Sequence, residues 1–118
     1  MNEKRKFMRF GISLDMKYKV PHRAIEGLAH GKDVSREGIG CYLGERLPVG
    51  VMVQLEINIP GEIIPMFAWG EVVWCKESEV AKGANFDSGM KLIKMDPFDK
   101  SRLLEYGYNQ WREKNRRR

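Results

Sequence analysis

A chain of 118 residues with 42% hydrophobic content is long enough for one domain with its own core and too short for two. No apolar run approaches the eighteen or so residues of a membrane helix, and the opening Met-Asn-Glu-Lys-Arg-Lys lacks a signal peptide's apolar stretch, so a cytoplasmic protein is expected. The 21 basic residues against 16 acidic ones leave a formal charge of +5, gathered at Lys4-Arg5-Lys6 and at Arg112 through Arg118, which invites an anionic partner.

From Gly11, the apolar residues Ile12, Leu14, Met16, Tyr18 and Val20 alternate with mostly polar ones, the period of a half-buried strand that Pro21 ends. Residues from about Ala24 to Val34 are strand-compatible, and Gly38 to Leu43 puts Ile39, Cys41 and Leu43 on one face. After a turn at Pro48-Val49-Gly50, the clearest alternation of the chain runs from Val51 through Val53, Leu55 and Ile57 to Ile59. Pro60-Gly61-Glu62 makes the next hairpin connection. Ile63 through Trp74 is a long apolar segment broken by Pro65 and Gly70, a pattern of edges, bulges or barrel corners. Trp69 and Trp74, five apart, face opposite sides of a regular strand, which sends one of them into the core. A last strand spans Ala84 to Lys94.

Asp96-Pro97 reads as a helix start, with Asp as N-cap and Pro in first position. Leu104, Tyr108 and Trp111 then form one apolar stripe at i, i+4 and i+7, and Gly107 within it costs about 1 kcal/mol relative to Ala. Residues 114 to 118 read as a basic, frayed tail. Short antiparallel strands with one terminal helix predict a mainly β chain, a small β-barrel with the helix docked on it.

Catalysis finds no constellation. Ser35 has no histidine in its local sequence, Cys41 and Cys75 lack an activating base or metal-type spacing, and His22 and His30 are isolated, so no catalytic residue, metal or cofactor is expected. Two other groupings carry chemistry. Arg5 and Arg9, four apart, project the same way on a strand or a helix, so both guanidinium forks can close on one anion. Asp33 and Ser35, two apart, share a strand face. A carboxylate beside a hydroxyl suits the N1–H and N2–H donors of guanine, arginine suits its O6 and N7 acceptors and its phosphates, and Gly38 lets backbone approach closely.

Arg5-x-x-x-Arg9 followed by Asp33-x-Ser35-x-x-Gly38 resembles the PilZ domain, a bacterial receptor for cyclic di-GMP. Gly70-Glu71-Val72-Val73-Trp74 is similar to that family's late core strand, and Phe86-Asp87-Ser88-Gly89-Met90-Lys91-Leu92 to the strand that closes its barrel, with Leu92 standing where the pattern has an aromatic. The resemblance implies a six-stranded antiparallel barrel over residues 11–113, an N-terminal arm over residues 1–10 and a tail over 114–118. It implies a non-enzymatic receptor whose arm, mobile without ligand, orders when Arg5 and Arg9 close on cyclic di-GMP and so changes its contacts with a downstream protein partner. Asp33, Ser35 and Gly38 fall at the guanine, Trp74 near it as a stacking partner, and Lys4 where a further basic residue favours capture of two stacked ligand molecules. The rivals are a basic barrel binding RNA or single-stranded DNA through Phe7, Phe10 and the arginines, and an adaptor of the same fold that binds no nucleotide. The intact pair of motifs argues against the adaptor, the nucleic-acid binder would show affinity that falls steeply with salt and rises with strand length, and nucleic acid is not expected as the partner.

Overall fold

In a computed structural model, which describes residues 8–79 and 86–116, the period-2 patterns become strands with one face inward. In β1 (Phe10–Val20) Ile12, Leu14, Met16, Tyr18 and Val20 are all buried. Strands β2 (Ile25–Val34), β3 (Gly38–Leu43), β4 (Met52–Asn58), β5 (Met66–Glu77) and β6 (Phe86–Met95) follow. Pairing is antiparallel throughout, and the order β1-β2-β3-β6-β5-β4 closes on itself because β1 also pairs with β4. The six-stranded barrel expected from the sequence is therefore present, and its interior is an apolar core in which Leu92, in place of an aromatic, is buried. Pro65 falls just outside β5, where its missing N–H costs no ladder bond.

Helix α1 (Pro97–Arg116) starts as its sequence predicts: Asp96 Oδ1 accepts hydrogen bonds from the backbone N–H of Phe98 at 2.9 Å and of Asp99 at 3.2 Å. Its other end differs, since Lys114, Asn115 and Arg116 are helical, so the basic tail begins as part of the helix. The docking stripe is also rotated. Leu103 and Gly107 are the buried residues of α1, whereas Leu104 is half-buried, Tyr108 is exposed and Trp111 is 37% exposed. The cause is the glycine: a Cβ at Gly107 would lie 2.8 Å from Val34 Cγ1 and 3.2 Å from Phe10 Cβ, so its absence lets the helix backbone sink onto β1 and β2. Tyr108 and Trp111 then flank the seam, each edge-on to Phe10 at centroid distances of 5.9 and 6.2 Å. Tyr106 Oη donates to the Ser13 carbonyl at 3.1 Å, and Arg102 bridges Glu62 of the β4–β5 connection and Asp99. Among the described residues no helix is long and apolar enough to cross a membrane.

The cysteines are both free, Cys41 buried and Cys75 half-buried. Burial, with the Asp87 charge adding to it, pushes the Cys41 thiol up to about 12. Iodoacetamide at pH 8 is accordingly expected to label Cys75 in the folded protein while Cys41 reacts only after denaturation, as peptide mass mapping would show. Gly107→Ala is expected to lower stability by about 1 kcal/mol: overpacking of 1–3 kcal/mol outweighs the gain of about 1 kcal/mol in helix propensity. Urea titration checks this, because a midpoint at or above the parent's would mean that the helix does not rest on that glycine.

Candidate functional site

Three of the site's features come from one band across the outside of the barrel. Asp33 on β2 pairs with Gly40 on β3, Gly40 with Gly89 on β6, and Gly89 with Trp74 on β5. The two glycines in the middle are occupied space. A Cβ at Gly40 would fall 2.6 Å from Asp33 Oδ1, and one at Gly89 would fall 2.6 Å from Trp74 Cε2. The carboxylate and the indole therefore lie down over a glycine floor from opposite ends.

Trp74 reaches this outer surface through an irregularity. Between Val72 and Trp74 the pairing with β6 shifts, leaving Val73 as an extra residue that reverses the alternation. The buried Ser88 hydroxyl donates to the Trp74 carbonyl at 3.0 Å and ties the bulge down. Trp69 and Trp74 consequently are both half-buried and both outside the barrel, so the expectation that one would enter the core is corrected.

Arg9, immediately before β1, places Nη2 2.5 Å from Asp33 Oδ1, with about a quarter of each side chain exposed. Its Nε is buried and has no hydrogen-bond partner. A buried guanidinium donor without a partner is uncommon and marks a place where an acceptor would be welcome. Ser35 lies one residue past β2, so the strand face it was expected to share with Asp33 ends at Asp33. It builds a turn instead: its N–H donates to the Gly38 carbonyl at 2.9 Å, and its Oγ accepts from the N–H groups of Glu37 at 3.2 Å and Gly38 at 3.3 Å. The hydroxyl proton stays available, although the residue is buried. Gly38 serves the neighbouring strand, since a Cβ there would fall 2.5 Å from the Met90 carbonyl oxygen. Arg9, Ser35, Gly38 and Trp74 line one cavity of about 270 Å³ together with Gly89 and Lys91, and Asp33 joins it through Arg9. Lys4 and Arg5 lie outside the described residues.

Four residues at the site escaped the sequence reading. Gly40 and Gly89 form the floor, and Lys32 and Lys76 bracket the indole, their Nζ atoms 5.6 and 5.5 Å from the ring centroid. Lys32 also sits 5.2 Å from the Tyr42 ring and 2.6 Å from Asp87 Oδ1. The glycines alone had a visible signal, two small residues inside strands where side chains should pack. The site thus combines a planar aromatic face, ammonium and guanidinium groups around it, a carboxylate acceptor and a floor without side chains, which fits a planar, donor-rich, anionic ligand. A larger concavity, about 520 Å³, is on another part of the surface and shares no lining residue with this one.

A family model described as PilZ domain matches residues 3–108. The chain belongs to the PilZ domain family. Among solved structures it is similar to the inhibitor of motility MotI/DgrA of Bacillus subtilis, with 21% identity, a TM-score of 0.75 and coverage of 99% of this chain and 55% of that one. The PilZ domain of YcgR from Escherichia coli, solved with c-di-GMP, matches with 17% identity and a TM-score of 0.75 over 98% of this chain and 97% of that one. The MrkH–c-di-GMP complex of K. pneumonia matches with 12% identity and a TM-score of 0.76 over 99% of this chain and 57% of that one. The chain thus spans little more than half the length of MotI/DgrA and MrkH. These likenesses are of fold. No curated protein matches the sequence.

Gly89→Ala must lift the indole from the floor. In a background of Trp69→Phe and Trp111→Phe, Trp74 emission is expected to shift to the red while far-UV circular dichroism stays unchanged; an unmoved emission maximum would mean that the ring does not rest on Gly89.

Proposed function

We propose that this PilZ domain is a non-enzymatic receptor for cyclic di-GMP. The observation that carries the reading is the convergence of Arg9, Asp33, the Gly40–Gly89 floor and Trp74 on one outer band, each group matched to a part of that ligand. Asp33 accepts from guanine N1–H and N2–H, Arg9 takes O6, N7 or a phosphate oxygen with the donors not spent on Asp33, and the guanine plane stacks on the face of the Trp74 indole that points away from Gly89. To stack there, the base displaces one of the two lysine ammoniums from the indole, and that lysine then meets a phosphate. YcgR and MrkH, which share the fold, were solved with c-di-GMP, which supports the same ligand here.

Lys4 and Arg5 join from the N-terminal arm, which closes over the ligand and in ordering alters contacts with a downstream partner. That ordering lowers affinity, so a micromolar dissociation constant, about −8 kcal/mol, already requires strong phosphate and stacking contacts. The nucleic-acid alternative is weakened at one of its supports, because Phe10 is half-buried and packed against Gly107, Tyr108 and Trp111.

Calorimetric titration with cyclic di-GMP, beside GMP, cyclic GMP and a dT12 oligonucleotide, tests the proposal. Saturable binding of cyclic di-GMP is expected, weakened at least tenfold, about 1.4 kcal/mol, by Arg9→Ala, by Arg5→Ala and by Asp33→Ala. Arg9→Lys, which keeps the charge and loses the fork, should fall between parent and alanine. Binding of dT12 alone, falling steeply with salt and improved by Asp33→Ala, would replace the proposal with the nucleic-acid reading.

A further inference from the structure

Next to the row that runs from Asp33 to Trp74 lies a second one with the same ingredients. Tyr42, two residues after Gly40 on β3, pairs with Asp87, two residues before Gly89 on β6, so both project from the barrel on the same outer face as the glycine floor. Lys32 joins them from β2. The pairing of β2 with β3 shifts between Gly31 and Asp33, and the extra residue puts Lys32 on the outer face beside its neighbour Asp33. Its Nζ lies 5.2 Å from the centroid of the half-buried Tyr42 ring and 2.6 Å from Asp87 Oδ1.

The two rows match group for group. One holds the cation Arg9, the carboxylate Asp33 and the Trp74 ring; the other holds the cation Lys32, the carboxylate Asp87 and the Tyr42 ring. Both ion pairs are short and partly open to solvent, Lys32 and Asp87 with 25% and 17% of their side chains exposed. Each also contains a buried polar atom without a hydrogen-bond partner: Arg9 Nε in the first, and in the second Asp87 Oδ1, to which the Lys32 ammonium stands close without making a hydrogen bond. Lys32 is 5.6 Å from the Trp74 centroid as well, so the rows are contiguous, about 7 Å apart along the strands. Lys76 meets the indole and has no carboxylate partner among the described residues. It, and not Lys32, is the ammonium that a base on the indole displaces.

We infer that Tyr42, Asp87 and Lys32 form a subsite for the second guanine of the ligand, an assignment that rests on the cyclic di-GMP reading. Asp87 accepts from the N1–H and N2–H of that base, Lys32 donates to its O6 or N7, and the Tyr42 ring gives it a face to lie on. Two identical bases on one cyclic backbone then meet two equivalent sets of groups. Adenine is penalised in the second subsite, because its pairing edge carries an acceptor nitrogen where guanine has N1–H, and that lone pair would face the Asp87 carboxylate. The domain accordingly reads both bases, and it takes cyclic di-GMP in preference to the mixed guanine–adenine dinucleotide.

Calorimetric titration of the full chain with cyclic di-GMP and with 3′,3′-cyclic GMP-AMP reads this preference. The parent is expected to bind cyclic di-GMP at least tenfold more tightly than the mixed dinucleotide. Asp87→Asn keeps the shape of the side chain and replaces one acceptor by a donor, which suits adenine. It should weaken cyclic di-GMP, strengthen the mixed dinucleotide and bring the ratio to threefold or less. Tyr42→Leu, on the outer face, should weaken both ligands at least fivefold, and it carries the test if Asp87→Asn melts early. A parent that binds neither dinucleotide would remove the receptor reading and the subsite with it. Three results would overturn the subsite alone and leave a receptor standing: a parent that binds both dinucleotides equally well, an Asp87→Asn protein with the parent's ratio, or a Tyr42→Leu protein with the parent's affinities.

Discussion

β1 is hydrogen-bonded along both sides, to β2 and to β4, and the rest of the molecule follows from that double pairing. Once the sheet is closed there is one inside and one outside, and each strand must keep its alternation in phase with both neighbours. The interior is filled by an apolar core, and the cavity that Arg9 and Trp74 line is on the outer surface. That surface acquires depth only where side chains are missing or where the alternation slips.

The band from Asp33 to Trp74 uses both devices. Gly40 and Gly89 remove side chains from the middle of two strands at a cost in strand stability, and the bulge at Val73 sets the indole down on the gap. The Arg9–Asp33 ion pair spans the far end. With a quarter of each side chain exposed, the pair contributes little to stability and is easily remade, which suits the ligand contacts proposed for both groups. Arg9 is also the neighbour of Phe10, whose ring is held against Tyr108 and Trp111, so the start of β1 is anchored to the helix on one side and reaches the site on the other.

Most of the strand plan was legible because burial follows parity: the runs around Leu14 and Leu55 become β1 and β4 with the expected faces inward. Arg9 and Asp33 were legible as members of two motifs, whereas their ion pair with each other appears only in the structure. The failures have local causes. Trp74 could not be oriented because one unpaired residue reverses parity and nothing in Val72-Val73 announces it. The docking face of α1 was misjudged because helical periodicity rewards large apolar residues, whereas contact here is made by Leu103 and by the absence of a side chain at Gly107. Ser35 was credited with a strand position, yet the chain turns one residue earlier.

The bulge at Val73 also governs which genetic changes the domain tolerates. Substitution of Val73 alters one exposed side chain and leaves the parity of β5 intact. Deletion of that single residue would restore regular alternation with Val72 inward, Trp74 outward and Cys75 inward, the faces that the bulge already gives them. Ser88, whose hydroxyl holds the Trp74 carbonyl, would still oppose Cys75. At this one point of the strand, a change of length is therefore as compatible with the faces of β5 as a change of composition.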